Sequence, residues 1–130
     1  MSYQGIEGKA RYKDTPVEEI LPVELTPYDD RVEVPEGFRP TTLDPGHPIL
    51  TGLPPRWPLF LGYNRVSAKS RAKILLQYDK DPFLVIGSYG KGRTAAFSSD
   101  CAPHWGSPEF VNWKYYDVFW TNLVRWLTGR

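Results

Sequence analysis

The sequence has little cysteine, with one residue in 130, and it has no long uninterrupted apolar run. A single cysteine excludes an internal disulfide and argues against a metal site built on several thiolates. No run approaches the roughly 18 apolar residues that a membrane-spanning helix needs. The opening stretch Met1–Lys9 has no apolar core segment of the kind found in signal peptides. These absences predict a soluble, cytoplasmic protein with no membrane partner.

The chain also lacks a large net charge, which is +1 at pH 7. A nearly neutral protein has no global electrostatic attraction for nucleic acid, so we expect no nucleic-acid partner. Acidic residues crowd the first half and basic residues dominate the second, which we interpret as two solvated surfaces. The length fits one domain, residues 1–130.

Motifs for metals and phosphate-bearing cofactors are missing as well. The stretch Gly87–Gly92 superficially resembles a phosphate-binding loop, but no Ser or Thr follows a Gly-Lys pair and a predicted strand comes next. We therefore interpret it as a hairpin turn and predict no cofactor and no metal. His47 lies in the turn-forming stretch Asp44–Pro48 and is expected to be a turn residue rather than a ligand.

Proline dominates the first half, where ten of the thirteen prolines lie between Pro16 and Pro58. Proline removes a backbone donor, so long helices and central strands are not expected there. Regularly spaced apolar residues argue against disorder, and residues 1–59 are predicted to form an ordered, irregular half. Within it we expect a short helix over Pro16–Leu21, capped by Thr15. Short strands are expected at Val23–Leu25 and Arg31–Val34.

The second half, residues 60–130, shows regular patterns of a β-meander followed by a helix. Strands are predicted at Phe60–Val66, Ala72–Tyr78, Phe83–Tyr89 and Thr94–Ser99. One continuous C-terminal helix is predicted from Pro108, with Ser107 as its N-cap and Gly129 at its end. Its aromatic residues recur at helical spacing, which is typical of core packing on a sheet.

Chemistry-bearing residues collect between the last strand and this helix, in the stretch Ser98–Phe110. Functional groups often lie at such strand-to-helix turns in α/β proteins. Cys101 could act as a nucleophile with His104 as its base, although a small buried thiol at a strand end is the simpler interpretation. Candidate ligand-binding residues are Ser99, Asp100, His104 and Trp105, and candidate catalytic residues are Cys101, His104 and Glu109.

Several segments together resemble the bacterial family called putative glutamine amidotransferases. They are Tyr3–Ala10, Ile20–Leu25, Phe38–Ile49, Phe60–Asn64, Gly92–Phe110 and Phe119–Leu127. The resemblance implies an α/β fold, the C-terminal part of a flavodoxin-like, class I glutamine amidotransferase-like domain. In this part an irregular proline-rich half would precede a β-meander and a C-terminal helix packed on the sheet.

Members of this family are about twice as long, so the resemblance implies that this chain corresponds to the C-terminal half. The first half of a member would supply the parallel strands and the turn that carries the amidotransferase nucleophile. A shortened gene, a late assigned start or a deliberate truncation would each account for the abrupt opening. A sheet without its first strands would expose an apolar edge.

In class I amidotransferases a strand ends in a Phe-His-Pro-Glu stretch, whose His and Glu complete a triad with a distant Cys. Here Phe97 ends the equivalent strand, and His104 and Glu109 are the matching residue types. They are five positions apart instead of two, and no nucleophile elbow is present. The resemblance therefore supports the family more strongly than it supports catalysis.

Three hypotheses of function follow. The favoured one is a non-catalytic domain that binds a small, glutamine-like ligand or a protein partner at residues 98–110. The second is an amidotransferase or amidohydrolase that uses Cys101 or a nucleophile outside this chain. The third is a structural half-domain that is stable only as a homo-oligomer or with its missing N-terminal half.

Overall fold

A computed structural model describes residues 10–130, which form a short helix, a series of strands interrupted by one 3-10 turn, and two C-terminal helices. The stretch Met1–Lys9, which includes most of the first segment of the family resemblance, lies outside the described residues. In chain order the elements are α1 (Pro16–Ile20), β1 (Val23–Glu24), β2 (Arg31–Phe38), β3 (Thr41–Thr42), the 3-10 turn η1 (Pro48–Leu50), β4 (Phe60–Asn64), β5 (Ser67–Ala68), β6 (Lys73–Tyr78), β7 (Asp81–Tyr89), β8 (Gly92–Phe97), α2 (Pro108–Val111) and α3 (Tyr116–Thr128).

The largest sheet has four strands in the order β3-β6-β7-β8, and the predicted meander of β6, β7 and β8 is confirmed. The predicted strand that begins at Phe60 does not join this meander, because β4 pairs with β2 in a separate ladder. A third small ladder joins β1 to β5. All ladders among residues 10–130 are antiparallel. The chain is thus a mixed α/β structure with several antiparallel sheets and a C-terminal helix.

The core lies on both faces of β7, as its continuous apolar run predicts. Residues Phe83–Ile86 of this strand are all buried. On one face Phe83, Leu84 and Ile86 join a large aromatic cluster that includes Phe60 and Phe119, both fully buried. On the other face Val85 packs in a smaller cluster with Val23 and Val66. The α3 helix packs on the first face, through side chains that the sequence predicted as core.

The prediction of one continuous helix from Pro108 is wrong. The chain forms α2, leaves helical geometry after Val111, and resumes as α3 at Tyr116. Asn112 ends α2 with its backbone N–H donated to the Pro108 carbonyl at 3.1 Å, and the Trp113 ring then packs 5.2 Å from the ring of Trp57. The break coincides with the packing of the Trp113 indole against the core. The predicted caps at both ends are confirmed, because the Ser107 hydroxyl accepts from Phe110 N–H and Gly129 ends α3 at φ 70°.

Two details of the first half also differ from expectation. The Thr15 side chain does not cap α1, because its hydroxyl donates to the Tyr12 carbonyl. The second strand is longer than predicted and includes Pro35. Proline is tolerated there because, within residues 10–130, β2 pairs only with β4 and the register shifts between Glu33 and Phe38.

Candidate functional site

Backbone hydrogen bonds fix both ends of the loop after β8: two strands hold its start, and one strand holds its end. The Ser98 N–H donates to the Phe83 carbonyl of β7 at 2.9 Å, and the Ser98 carbonyl accepts from Asn64 N–H of β4 at 2.7 Å. At the other end Leu61 N–H donates to the Trp105 carbonyl at 2.9 Å. The residues between Ser98 and Trp105 therefore form a short loop whose two ends are fixed to neighbouring strands.

Trp105 fixes the end of this loop in the core, because only 1% of its surface is exposed. Its indole Nε1 donates to a Glu33 carboxylate oxygen at 2.9 Å. The ring lies against Gly62, where a Cβ atom would be only 2.4 Å from Nε1. Gly106 is equally confined, because a Cβ there would be 2.5 Å from the Ala102 carbonyl oxygen. These two glycines allow the indole and the loop backbone to approach the strands.

Asp100 and His104 form the polar centre of the loop. An Asp100 carboxylate oxygen lies 2.8 Å from His104 Nδ1 and accepts from Trp105 N–H at 3.2 Å. The Asp100 side chain is 13% exposed, whereas the His104 side chain is 54% exposed. A shielded carboxylate thus orients an imidazole that faces solvent.

The backbone at His104 is strained, with φ at 145°. Positive φ is costly for a residue with a side chain, by about 1–3 kcal/mol, and such residues cluster at functional sites. Two contacts of the Asp100 carboxylate, with His104 Nδ1 and with Trp105 N–H, hold the backbone in this conformation. The burial of Trp105 also holds it there. The hydrogen-bond contact between Asp100 and Nδ1 orients the imidazole.

Cys101 is exposed, and the expectation of a small buried thiol is wrong. All four residues from Cys101 to His104 are exposed, because Trp105 and not Cys101 anchors the loop in the core. The Cys101 carbonyl accepts a hydrogen bond from the Tyr116 hydroxyl, which ties the loop to the start of α3. No thiol contact with His104 is present among the described residues.

Glu109 makes a two-point ion pair with Arg39 rather than a contact with His104. The two carboxylate oxygens lie 2.7 and 3.1 Å from the two terminal guanidinium nitrogens. The hydrogen bonds from Arg39 lower the pKa of Glu109 below its ordinary value. Arg39 also donates to the Trp57 carbonyl at 2.6 Å. Glu109 thereby ties α2 to the segment after β2.

Beside the loop lies an open groove of about 840 Å³ between the end of β8 and the first turns of α3. Three of its seven lining residues are aromatic, and Ser99, Asp117 and Thr121 add polar side chains. The Ser99 hydroxyl donates to the Gly62 carbonyl at 2.8 Å. The lining residues are Phe97, Ser99, Cys101, Tyr116, Asp117, Trp120 and Thr121.

The structure thus brings Asp100, His104 and Trp105 together, and places Ser99 and Cys101 on the adjacent groove. Sequence reasoning missed Glu33 and Gly62, which support Trp105. A glycine inside a strand signals a bulge or a close backbone approach, so Gly62 carried a usable signal. Nothing local in the sequence connects Glu33 to a residue 72 positions away.

The family model described as "Putative glutamine amidotransferase" matches residues 1–129. The chain belongs to this family. Two solved structures are similar to it, both from Salmonella typhimurium: cytoplasmic protein STM1381 of strain LT2 and cytoplasmic protein STM3548. Each is 44% identical, with TM-scores of 0.91 and 0.90. A comparison with curated proteins found no match.

The chain spans about half the length of these relatives. The first match covers 97% of this chain and 51% of the relative, and the second covers 96% and 50%. The expectation that family members are about twice as long fits both. Within residues 10–130, no helix is long and apolar enough to cross a membrane, and no group of three His, Cys, Asp or Glu side chains could hold a metal ion.

Proposed function

We propose that this chain is an amidotransferase-like domain of the cytoplasm that binds a small ligand at residues 98–110 without catalysing a reaction by itself. The observation that carries the proposal is the Asp100–His104 pair, a shielded carboxylate that orients an exposed imidazole on a strained backbone. Both Salmonella relatives are named cytoplasmic proteins, which supports the proposed localisation.

The hydrogen-bonding pattern of the pair indicates what the ligand must offer. An ionised carboxylate can only accept hydrogen bonds, so Asp100 requires a proton on His104 Nδ1. In the neutral imidazole the second nitrogen, Nε2, is then an acceptor. A ligand that contacts it needs a donor, such as a carboxamide NH₂ or an ammonium group. A glutamine-like molecule, which the family resemblance suggests, carries both.

The surroundings of His104 support the proposal that the chain does not catalyse a reaction by itself. Covalent acyl transfer needs a nucleophile within hydrogen-bond reach of its base. Among residues 10–130 the hydrogen bonds of His104 involve Asp100 only, and no Ser, Thr or Cys side chain is bonded to the ring. Glu109 is occupied by Arg39. The described residues thus supply a base and its orienting group without a nucleophile.

Calorimetric titration with L-glutamine, with parallel measurement of ammonia release, tests this function. The variants are His104→Ala and, as a matched control, His47→Ala, which removes the other histidine. We expect saturable binding by the wild type and by the control, at least tenfold weaker binding by His104→Ala, and no ammonia release. Equal affinity for all three proteins, or steady ammonia release that disappears in His104→Ala, would overturn the proposal.

A second candidate is an amidohydrolase whose nucleophile is Cys101 or lies outside this chain. It is favoured by the same pair, because a carboxylate that holds Nδ1 of a histidine is the base half of a nucleophile–base–carboxylate triad. A chloroketone analogue of glutamine distinguishes the two candidates. Stoichiometric labelling of Cys101 that requires His104 would support the enzyme, whereas labelling no faster than that of a small surface thiol would exclude Cys101.

A further inference from the structure

We propose that the open cleft at the C-terminal end of α3 is a second binding site, which takes a small molecule that carries a phosphate or diphosphate group. The volume of the cleft is about 450 Å³, within the range of about 300–1,000 Å³ that small-molecule sites occupy. The loop that carries His104 is bonded through Cys101 to Tyr116 at the start of α3, so the two sites lie at opposite ends of this helix. A helix of 13 residues is about 20 Å long, and binding in the cleft is therefore independent of the ligand proposed at His104.

Three arginines line this cleft without an acidic side chain to neutralise them. They are Arg93 near the start of β8, Arg125 in the last turn of α3, and Arg130 just after the helix. No Asp or Glu is among the lining residues, and within residues 10–130 the three arginines form no ion pair. Three other arginines of the chain do pair with carboxylates: Arg31, Arg39 and Arg65. The cleft therefore carries positive charge that a bound anion would balance.

The guanidinium group of Arg93 is fixed against the end of α3. Its Nη1 donates to the Trp126 carbonyl at 2.6 Å, and its central carbon lies 5.2 Å from the centroid of the Trp126 ring. These contacts join two residues that are 33 positions apart in the sequence. A guanidinium carries five N–H groups, so Arg93 has donors left for a ligand.

The end of α3 brings Arg130 next to Arg125. Gly129 adopts φ 70°, in the left-handed region, and reverses the chain there. The Arg130 N–H then donates to the Arg125 carbonyl at 2.9 Å, and the Gly129 N–H donates to the Trp126 carbonyl at 3.2 Å. This pair of bonds is a Schellman motif. It fixes the backbone of Arg130 beside that of Arg125, and both residues line the cleft.

The opposite wall of the cleft is tied to the same helix. The Asn122 side-chain nitrogen donates to the Ile49 carbonyl at 3.3 Å and to the Thr51 carbonyl at 2.9 Å. These bonds join α3 to η1 and to the residue that follows it. Asn122 and Thr51 both line the cleft and add neutral polar groups to the arginines.

These donors favour phosphate over carboxylate as the group that binds. A guanidinium is a planar fork that matches two oxygens of either group. A carboxylate has two oxygens and one charge, so one guanidinium satisfies it. A phosphate group has three acceptor oxygens and a charge of about −1.5 to −2 at pH 7, so several arginines can share it. The negative end of the helix opposes an anion by only about half an elementary charge, which the three guanidinium charges outweigh.

Calorimetric titration with inorganic pyrophosphate at about 0.15 M salt tests this site. Arg125→Gln removes one exposed guanidinium of the cleft, whereas Arg125→Lys keeps its charge and loses its planar fork. Arg71→Gln is the matched control, because it removes an exposed arginine that does not line the cleft. Succinate is the control ligand, because its charges are carried by carboxylates. Circular dichroism verifies that each variant is folded.

We expect saturable binding of pyrophosphate by the wild type and by Arg71→Gln, at least tenfold weaker binding by Arg125→Gln, and severalfold weaker binding by Arg125→Lys. No saturable binding by the wild type, or an equal loss in Arg71→Gln and Arg125→Gln, would overturn the proposal. Succinate that binds as tightly as pyrophosphate would overturn the assignment to phosphate.

His104→Ala separates this site from the one at residues 98–110. We expect this variant to bind pyrophosphate with the wild-type affinity, whatever its affinity for L-glutamine. A loss of pyrophosphate binding in folded His104→Ala that matches the loss in Arg125→Gln would overturn the proposal of a second site.

Discussion

The indole of Trp105 occupies the space where a side chain at position 62 would begin. A Cβ atom at Gly62 would lie 2.4 Å from Nε1 of the indole and 2.6 Å from its nearest ring carbon. Because real Cβ atoms do not approach neighbours so closely, the indole can stay in place only while residue 62 is glycine. The position of the whole loop from Ser98 to Gly106 depends on this contact.

We therefore expect Gly62→Ala to displace the Trp105 ring and break its hydrogen bond to Glu33. Overpacking a buried site typically costs about 1–3 kcal/mol of unfolding free energy. Urea denaturation gives the free energy, and crystallography of the variant gives the ring position. The control is Gly46→Ala, where the nearest atom is 3.8 Å from the new Cβ. A Gly62→Ala protein as stable as this control would contradict the account of the anchor.

Asp100→Asn tests how His104 is oriented. The neutral amide can no longer hold a proton on Nδ1 as a carboxylate does, so we expect a larger fraction of the Nε2–H tautomer. Nitrogen-15 spectra of the imidazole rings report this fraction directly. Glutamine affinity should fall severalfold, because Nε2 then becomes a donor. An unchanged tautomer in a folded variant would show that Asp100 does not determine which ring nitrogen of His104 carries the proton.

The stabilising contribution of the Glu18 carboxylate should be lost in acid. Burial acts to raise the pKa of Glu18, but hydrogen bonds from the Leu25 and Asp14 N–H groups and from Lys13 outweigh it, and the pKa falls below its usual 4.5. A lowered folded-state pKa contributes stability above the unfolded-state value, and this contribution disappears as the pH falls through the folded-state value.

Replacing Glu18 by Gln should therefore cost about 1–2 kcal/mol at pH 7 and progressively less below pH 4.5. The measurement is urea denaturation of both proteins across pH 3–7. Glu24→Gln, at an exposed position nearby, is the control and should change little. A cost of Glu18→Gln that is independent of pH would contradict the proposed role of the carboxylate.

Glu109→Gln should weaken the contact with Arg39 and leave His104 unaffected. The Glu109 side chain is 47% exposed, so the pair should contribute no more than about 1 kcal/mol. Thermal denaturation measures this loss, and calorimetry with L-glutamine should give the wild-type affinity. If Glu109 were the third member of a catalytic triad with His104, ligand affinity would change together with stability.

Local patterns in the sequence predicted most of the elements but not their partners. The meander, the Ser107 cap and the Gly129 terminus depend on neighbouring residues and are confirmed. The pairing of β4 with β2, rather than with the meander, depends on the buried core that Phe60 and Phe38 share. Such long-range choices are not encoded in periodicity.

The break between α2 and α3 was missed for a related reason. Every residue between Val111 and Tyr116 is compatible with a helix, so no local signal ends it. The tertiary contact of Trp113 with Trp57 accompanies the turn. The same limit applies to Cys101, whose exposure follows from the burial of Trp105 four residues later.

The central claim is that His104 contacts a glutamine-like ligand, and a nitrogen-15 titration of the imidazole rings with L-glutamine tests it most directly. His47 is the internal control, because its Nδ1 accepts from Ile49 N–H and its ring packs 5.5 Å from that of Trp126. The account predicts a saturable shift of His104 Nε2 while His47 stays unchanged. An unchanged His104 at saturating glutamine, or equal shifts of both histidines, would contradict it.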